Sequence, residues 1–396
     1  MYLAKKNLLQ ELRQVLQNSY NTRQKQAIEH GEGPLMVIAG PGSGKTFVIT
    51  ERISYLITHL NARPGEILVV TFSRAAAEEM KARFSAKDIP DGKLVTFGTF
   101  HSVFYRVLKT AYGALARNYI FDEESMDKIR FDEMLILTKE LLEERGDIRE
   151  LVSGLYKWIL IDEFQDIDDV QYDIIRLLNV RNTTIVGDDD QSIYGFRGSN
   201  PKIMLGFEND YPGTTRVVLN ENYRSKQEIL RLAANVIVNN KNRFSKDISS
   251  VRGSGGKVKL FGFIDAEKEY NYIREAIVNE IAGGCDPKDI AVLYRNNKQP
   301  WQLDRIVKCG ELGINAMTFH KSKGLEFKSV WIIDANQGVT PSKEARTEEE
   351  LESERRAFYV AMTRARDELN ICWCNLLRGR KREKSIYIDE LKNCTT

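Results

Sequence analysis

Short apolar runs alternate with amphipathic stretches along most of this 396-residue chain. Leu35–Ala39, Ile67–Thr71, Leu94–Thr96, Trp158–Ile161, Thr183–Val186 and Arg216–Leu219 have the length and composition of strands. Between them, leucines and charges recur at helical spacing. Strands alternating with helices predict a parallel sheet covered by helices on both faces. A second series follows the glycine-rich stretch Asp247–Gly256: Val258–Phe263, Ile290–Tyr294, Ala316–Phe319, Val330–Asp334 and Leu369–Trp373. The pattern therefore predicts two α/β lobes. Leu3–Gln17 reads as an amphipathic helix, and the charged, helical stretch Val103–Leu155 reads as an insertion in the first lobe.

Composition narrows the function little. Lys and Arg total 58 against 56 Asp and Glu, so a net charge of +2 gives no global attraction for nucleic acid, and any such binding must come from a local groove. The five cysteines (Cys285, Cys309, Cys372, Cys374 and Cys394) gather in the last third. Cys372 and Cys374 are two apart and would point the same way on a strand, but no second Cys/His pair completes a zinc site, so buried or free thiols are expected. The opening residues lack a signal-peptide core and no apolar run reaches the ~18 residues of a membrane span, which predicts a cytoplasmic protein without a membrane partner.

The segment Gly40-Pro41-Gly42-Ser43-Gly44-Lys45-Thr46 lies between the strand Leu35–Ala39 and the helical pattern Phe47–Leu60. In that context glycines let backbone N–H groups converge on phosphates, and the helix N-terminus adds a favourable dipole. Lys45 would reach the β- and γ-phosphates, and the Thr46 hydroxyl would ligate magnesium. A second part is expected at another strand end, and Trp158–Asp166 supplies it. Asp162 would hold the metal through water, and Glu163 would orient or deprotonate the attacking water. The expected reaction is ATP hydrolysis, with Mg2+.

Asp162-Glu163-Phe164-Gln165-Asp166 resembles the corresponding segment of the UvrD/Rep/PcrA group of superfamily 1 helicases. The resemblance runs from Tyr20 to Asn370 with the motifs in the family's order. It implies two RecA-like P-loop lobes and a motor that moves on single-stranded DNA. In Asn21-Thr22-Arg23-Gln24 it makes Gln24 the reader of adenine. Thr71–Met80 and Thr96–His101 are similar to the strand-end segments that touch DNA, so Phe72 would stack while Ser73, Thr99 and His101 bond phosphates or sugars. Val186–Gly198 is similar to the coupling segment: Gln191 would sense the γ-phosphate, and Tyr194, Phe196 and Arg197 would grip DNA. Many relatives have tryptophan where this chain has Phe196, which offers less stacking area. In Asn222–Ser225, Tyr223 would pack on adenine and Arg224 contact the γ-phosphate. Thr318–Phe327 implies DNA contacts from Thr318 and His320, with Glu326 near the ribose. Glu354–Ala365 makes Arg364 a second arginine finger, from the second lobe.

On this reading residues 1–102 and 156–222 form the first lobe, 103–155 a reduced helical insertion, and 223–396 the second lobe. The family's large second-lobe insertion, the 2B subdomain, is expected to be absent, because Asn297 is followed by Thr318 after 21 positions, leaving a link near 309–313. His101 and Asp162 are likewise only 61 positions apart. The expected activity is ATP-dependent translocation on single-stranded DNA or a tailed duplex, 3′ to 5′ by resemblance. The protein would be a monomeric helicase or a minimal core that needs an activating protein partner to unwind duplex. Two alternatives stay open: an ATP-gated nucleic-acid-binding module without motor activity, and the same motor on RNA.

Overall fold

The computed structural model describes residues 20–115, 133–297 and 300–392. The predicted helix Leu3–Gln17 lies outside these residues. The chain divides into two compact units. One holds the described residues up to Ala39, Gly44–Gly187 and Ile203–Leu219; the other holds Gly40–Ser43, Asp188–Lys202 and the chain from Asn220 on.

The first unit is built on six parallel strands: β1 (Leu35–Ala39), β2 (Ile67–Thr71), β3 (Thr96–Thr99), β4 (Trp158–Ile161), β5 (Asn182–Gly187) and β6 (Thr215–Leu219). Their order is β3-β2-β4-β5-β1-β6. Every residue of β1, β2 and β4 is buried, as a parallel sheet covered on both faces requires. Val48, Ile49, Ile53 and Leu56 of the helix Lys45–Thr58 pack with Leu35, Val37, Val69 and Leu160 in one apolar core. Because all strands run the same way, the loops after β1, β2, β3 and β4 leave from one rim of the sheet, where ligands of such sheets collect. The insertion contains the helices Phe100–Leu115, Met134–Glu144 and Gly146–Leu155 among its described residues.

In the second unit a short pair, β7 (Glu221–Asn222) and β8 (Ser249–Ser250), precedes the larger sheet. That sheet contains β9 (Lys257–Asp265), β10 (Ile290–Tyr294), β11 (Asn315–Thr318), β12 (Phe327–Ile332), β13 (Ala365–Leu377) and β14 (Arg380–Lys381). The order is β11-β10-β12-β13-β14, with β9 also on β13; all pairs are parallel except β13 with β14. The helix Glu348–Met362 buries Ala357–Met362 against this sheet. Two short helices, Pro300–Ile306 and Cys309–Leu312, fill the connection from β10 to β11.

Both lobes are the parallel α/β layers that the pattern predicts. Several bounds differ. Leu94 belongs to a 3-10 turn, Gly92–Leu94, and is 54% exposed; the strand starts only at Thr96 and uses the polar Thr-Phe-Gly-Thr. β12 starts at Phe327 and ends at Ile332, ahead of Asp334, whose φ of +51° turns the chain away. β13 runs well past Leu369–Trp373 at both ends because β9 pairs along it from Glu368 to Leu376. Cys372 and Cys374, on that strand, are buried free thiols.

Candidate functional site

After β1 the chain makes a tight loop. The Ser43 hydroxyl donates to the Gly40 carbonyl at 2.7 Å, and Gly42 and Gly44 take φ of +63° and +86°. Those angles favour glycine. Space demands glycine at position 42 as well: a Cβ there would lie 2.7 Å from the Arg224 Cβ and 2.9 Å from Asn222 Nδ2. Gly44 caps the helix Lys45–Thr58 without a side-chain hydrogen bond, and the N–H groups of a helix's first turn are suited to an anion. A Cβ on Gly44 would be 3.1 Å from Gln24 Nε2, which puts the predicted adenine reader beside this loop. Gln24 is also structural. Its N–H donates to Asn21 Oδ1 at 2.7 Å, and its own Oε1 accepts from the Asn21 N–H at 3.3 Å, a capping box on the helix Thr22–Ile28.

That helix is held from below by Arg52. Its buried guanidinium donates to the carbonyls of Ala27, Ile28, His30 and Gly31 and to Thr184 Oγ1. Burial pushes its pKa down to about 9, still far enough above neutrality to keep the cation on the helix's negative end.

Asp162 and Glu163 leave the end of β4. Asp162 is buried, and its N–H donates to the Val70 carbonyl at 2.9 Å. Glu163 sits at φ +50°, a left-handed conformation that a non-glycine residue adopts at a cost of about 1–2 kcal/mol. Its carboxylate lies 3.5 Å from Lys45 Nζ on one side and accepts from the fully buried Gln165 amide on the other. Gln165 thus aims Glu163, a role that its polar type alone did not announce.

At the same rim, Phe72 follows β2 with its ring 40% exposed rather than in the core. Ser73 and Thr99 are helix caps: Ser73 Oγ accepts from the Ala76 N–H at 3.2 Å, and Thr99 Oγ1 from the Ser102 N–H at 3.2 Å. His101 stands in the first turn after Thr99, half-buried. Thr71 and Thr99 are register partners, so these four residues share one end of neighbouring strands.

In the second unit, Asn222 is the knot. Its Oδ1 accepts from the N–H groups of Arg224 and Ser225 at 2.8 and 2.7 Å, and its Nδ2 donates to the Pro41 carbonyl. The Tyr223 N–H donates to the Gly42 carbonyl at 2.9 Å, while the Tyr223 ring stays 41% exposed. Arg224 Nε donates to Glu326 Oε2 at 2.8 Å, so the predicted γ-phosphate and ribose contacts are paired. Burial would raise the Glu326 pKa, but Arg224 and Arg366 hold it below the usual range.

The loop after β5 carries two further groups. Gln191 is buried; its Nε2 donates to Asp188 Oδ2 at 2.6 Å, and its Oε1 accepts from Arg364 Nη2 at 3.2 Å. Three residues on, Tyr194 and the 68%-exposed Phe196 meet His320, with ring centroids 6.3 and 5.3 Å away respectively. The Arg197 guanidinium lies 5.5 Å from both aromatic centroids. Burial and the nearby Arg295 push the His320 pKa down to about 4, so its ring is neutral near pH 7. Thr318, at the end of β11, accepts from the Lys321 N–H at 3.2 Å. Lys323 lies within Thr318–Phe327 but was given no role there: its Nζ donates to the Gln191 carbonyl at 2.9 Å and sits 5.1 Å from the Tyr194 ring centroid. Exposed rings flanked by cations are a surface on which bases of a single strand can stack.

A glycine loop opening a helix, with a carboxylate pair at another strand end, defines a P-loop nucleotide-binding protein. Residues 20–128 and 114–212 match the UvrD/REP helicase N-terminal domain, and 217–312 and 308–376 match the UvrD-like helicase C-terminal domain. The chain belongs to the UvrD-like helicase family. It is 34% identical over 349 residues to Bacillus subtilis YjcD, whose given name describes an ATP-dependent DNA helicase; the match covers 70% of this chain and 46% of that protein. It is 29% identical over 360 residues to the ATP-dependent DNA helicase PcrA of Staphylococcus aureus, covering 73% and 49%. The chain therefore spans about half the length of the curated relatives it matches.

Proposed function

We propose that this protein hydrolyses ATP to move along single-stranded DNA, in the 3′ to 5′ direction. The observation that carries the reading is the loop Asp188–Gly198. Within it Gln191 is bonded to Arg364, and three residues later Tyr194, Phe196 and Arg197 form a stacking surface with His320. One loop thus holds a group suited to a terminal phosphate and groups suited to bases.

Lys45 binds the β- and γ-phosphates, Glu163 accepts the proton of the attacking water, and Gln191, Arg224 and Arg364 stabilise charge on the transferred phosphoryl group. Gln24 and Tyr223 hold adenine, and Glu326 the ribose. The donor set fits a hard divalent cation: the Thr46 hydroxyl and the buried Asp162 carboxylate are oxygen ligands at the ends of a helix and a strand. When bound, Mg2+ neutralises phosphate charge. Phe72, Ser73, Thr99, His101 and Thr318 contact the strand.

The protein acts as a compact core without the 2B subdomain. The C-terminal family match comes in two pieces that meet at residues 308–312, and the short helix Cys309–Leu312 occupies that point. Such a core translocates, and an activating partner confers processive unwinding.

The test is steady-state ATPase with and without single-stranded DNA, with Lys45→Ala as control. Strong stimulation that Lys45→Ala abolishes is expected. DNA binding without stimulated turnover would point to a gated binding module instead. Equal stimulation by a matched RNA would overturn the DNA assignment. A tailed duplex, tried with the protein alone, tests the compact-core reading: robust processive unwinding would sink it.

A further inference from the structure

Asp188, Asp189 and Asp190 are consecutive carboxylates, each at most 1% exposed. Gathering three such groups in one buried turn is costly unless cations meet them. The cations come from Arg243–Lys246, a segment that no motif covers. The Lys246 side chain is wholly enclosed: its Nζ lies 2.6 Å from Asp188 Oδ1, 2.5 Å from Asp189 Oδ1 and 2.8 Å from Asp190 Oδ2. Arg243 adds a two-pronged bond to Asp190 at 2.9 and 2.8 Å, and the Phe244 N–H donates to Asp189 Oδ2 at 2.8 Å. Protein cations therefore fill the place that a metal ion would otherwise take. Burial opposes charge on Lys246, yet the three carboxylates keep it protonated well above its ordinary range.

The two oxygens of Asp188 are divided. Oδ1 accepts from Lys246 Nζ at 2.6 Å and from the Asp190 N–H at 3.2 Å, and Oδ2 accepts from Gln191 Nε2 at 2.6 Å. An amide side chain has a donor end and an acceptor end. Fixing its NH2 on Asp188 leaves the Gln191 oxygen toward Arg364 Nη2. We propose that Lys246 is a positioning residue for catalysis: by binding Asp188 Oδ1 it sets the carboxylate that orients the Gln191 amide. The inference rests on the phosphate-sensing reading of Gln191.

A merely structural role, balancing charge in the turn, is separable. Lys246→Met removes both the charge and the ammonium's hold on Asp188 Oδ1, while the longer bond from the Asp190 N–H remains. Adding Asp189→Asn restores much of the charge balance but leaves Asp188 without its lysine. The experiment measures DNA-stimulated ATPase and the thermal unfolding midpoint of the full chain for wild type, Lys246→Met, Asp189→Asn and the double variant. We expect Lys246→Met to lower kcat by about tenfold or more with KM for ATP little changed. In the double variant the midpoint recovers while kcat stays low. If Lys246→Met alone fails to fold, the double variant is compared with Asp189→Asn. Wild-type kcat in Lys246→Met, or kcat recovering together with the midpoint in the double variant, would overturn the assignment. Absence of DNA-stimulated turnover in the wild type would instead overturn the reading of the site, and this inference with it.

Discussion

Asn222→Ala offers a sharp test of how the phosphate loop is held. Asn222 is 0% exposed and satisfies three partners: the N–H groups of Arg224 and Ser225 and the carbonyl of Pro41. Alanine leaves two donors and one acceptor without it. Each buried group left unsatisfied costs about 1–3 kcal/mol, and water entering the vacated space recovers part, so a net loss of about 3 kcal/mol is expected. For a unit of this size that is a fall in thermal midpoint of roughly 6–12 °C. Asn222→Asp asks a second question. Its Oδ1 still accepts from Arg224 and Ser225, but its second oxygen sets a buried carboxylate against the Pro41 carbonyl, so stability should drop by about 3 kcal/mol or more. It cannot donate to Pro41, and it brings a negative charge to a loop meant for phosphates. KM for ATP should therefore rise by about tenfold, the equivalent of ~1.4 kcal/mol. Scanning fluorimetry and ATP titration of turnover read both effects. An alanine variant within 2 °C of wild type (against the ~3 kcal/mol expected), or an aspartate variant with unchanged KM, would refute the reasoning.

Phe196→Ala should weaken single-stranded DNA binding by about 1–3 kcal/mol, read by fluorescence anisotropy, with the thermal midpoint unchanged because the ring is 68% exposed. Gln165→Leu, which fills the same buried space but cannot donate to Glu163, should lower single-turnover hydrolysis by roughly tenfold or more while ATP affinity holds. His320 should make the protein acid-sensitive. Its folded pKa is lowered from 6.5 to about 4, so the unfolded chain takes up the proton first, and stability present above pH 6.5 is lost as pH falls toward 4. The full effect is about 3 kcal/mol, and urea midpoints across that window should flatten in His320→Gln.

The sheet strands with unbroken apolar runs, such as Leu35–Ala39 and Ile290–Tyr294, were legible because burial on both faces leaves no polar interruption. Thr96–Thr99 was not, since an edge strand at a binding rim can be polar, and its apolar neighbour Leu94 sits outside the sheet. Nor was the length of β13, whose charged first residues are extended by pairing with a strand about a hundred positions earlier in the chain. The same distance limit governed the site. Lys45, Asp162, Glu163 and Gln191 stand in local motifs whose spacing carries meaning. The supporting contacts carry no such signal, even where the residue lies inside a motif: Asn222 reaches Pro41 across 181 positions, Lys323 reaches Gln191 across 132, and Lys246 reaches Asp188 across 58. A lysine or an amide says nothing of such a partner until the chain has folded.

The three-residue interval between Gln191 and Tyr194 has a bearing on how this protein could be altered. Fully stretched, that interval spans only about 10 Å, and Lys323 pins it at both ends. On the proposed reading, affinity for the strand and speed of turnover are therefore poorly separable traits. A substitution that retunes the surface for a different strand will also disturb the amide, and selection for either property drags the other along. Retargeting would be easier through Phe72 or Thr99, which hang from other strands and leave that short interval untouched.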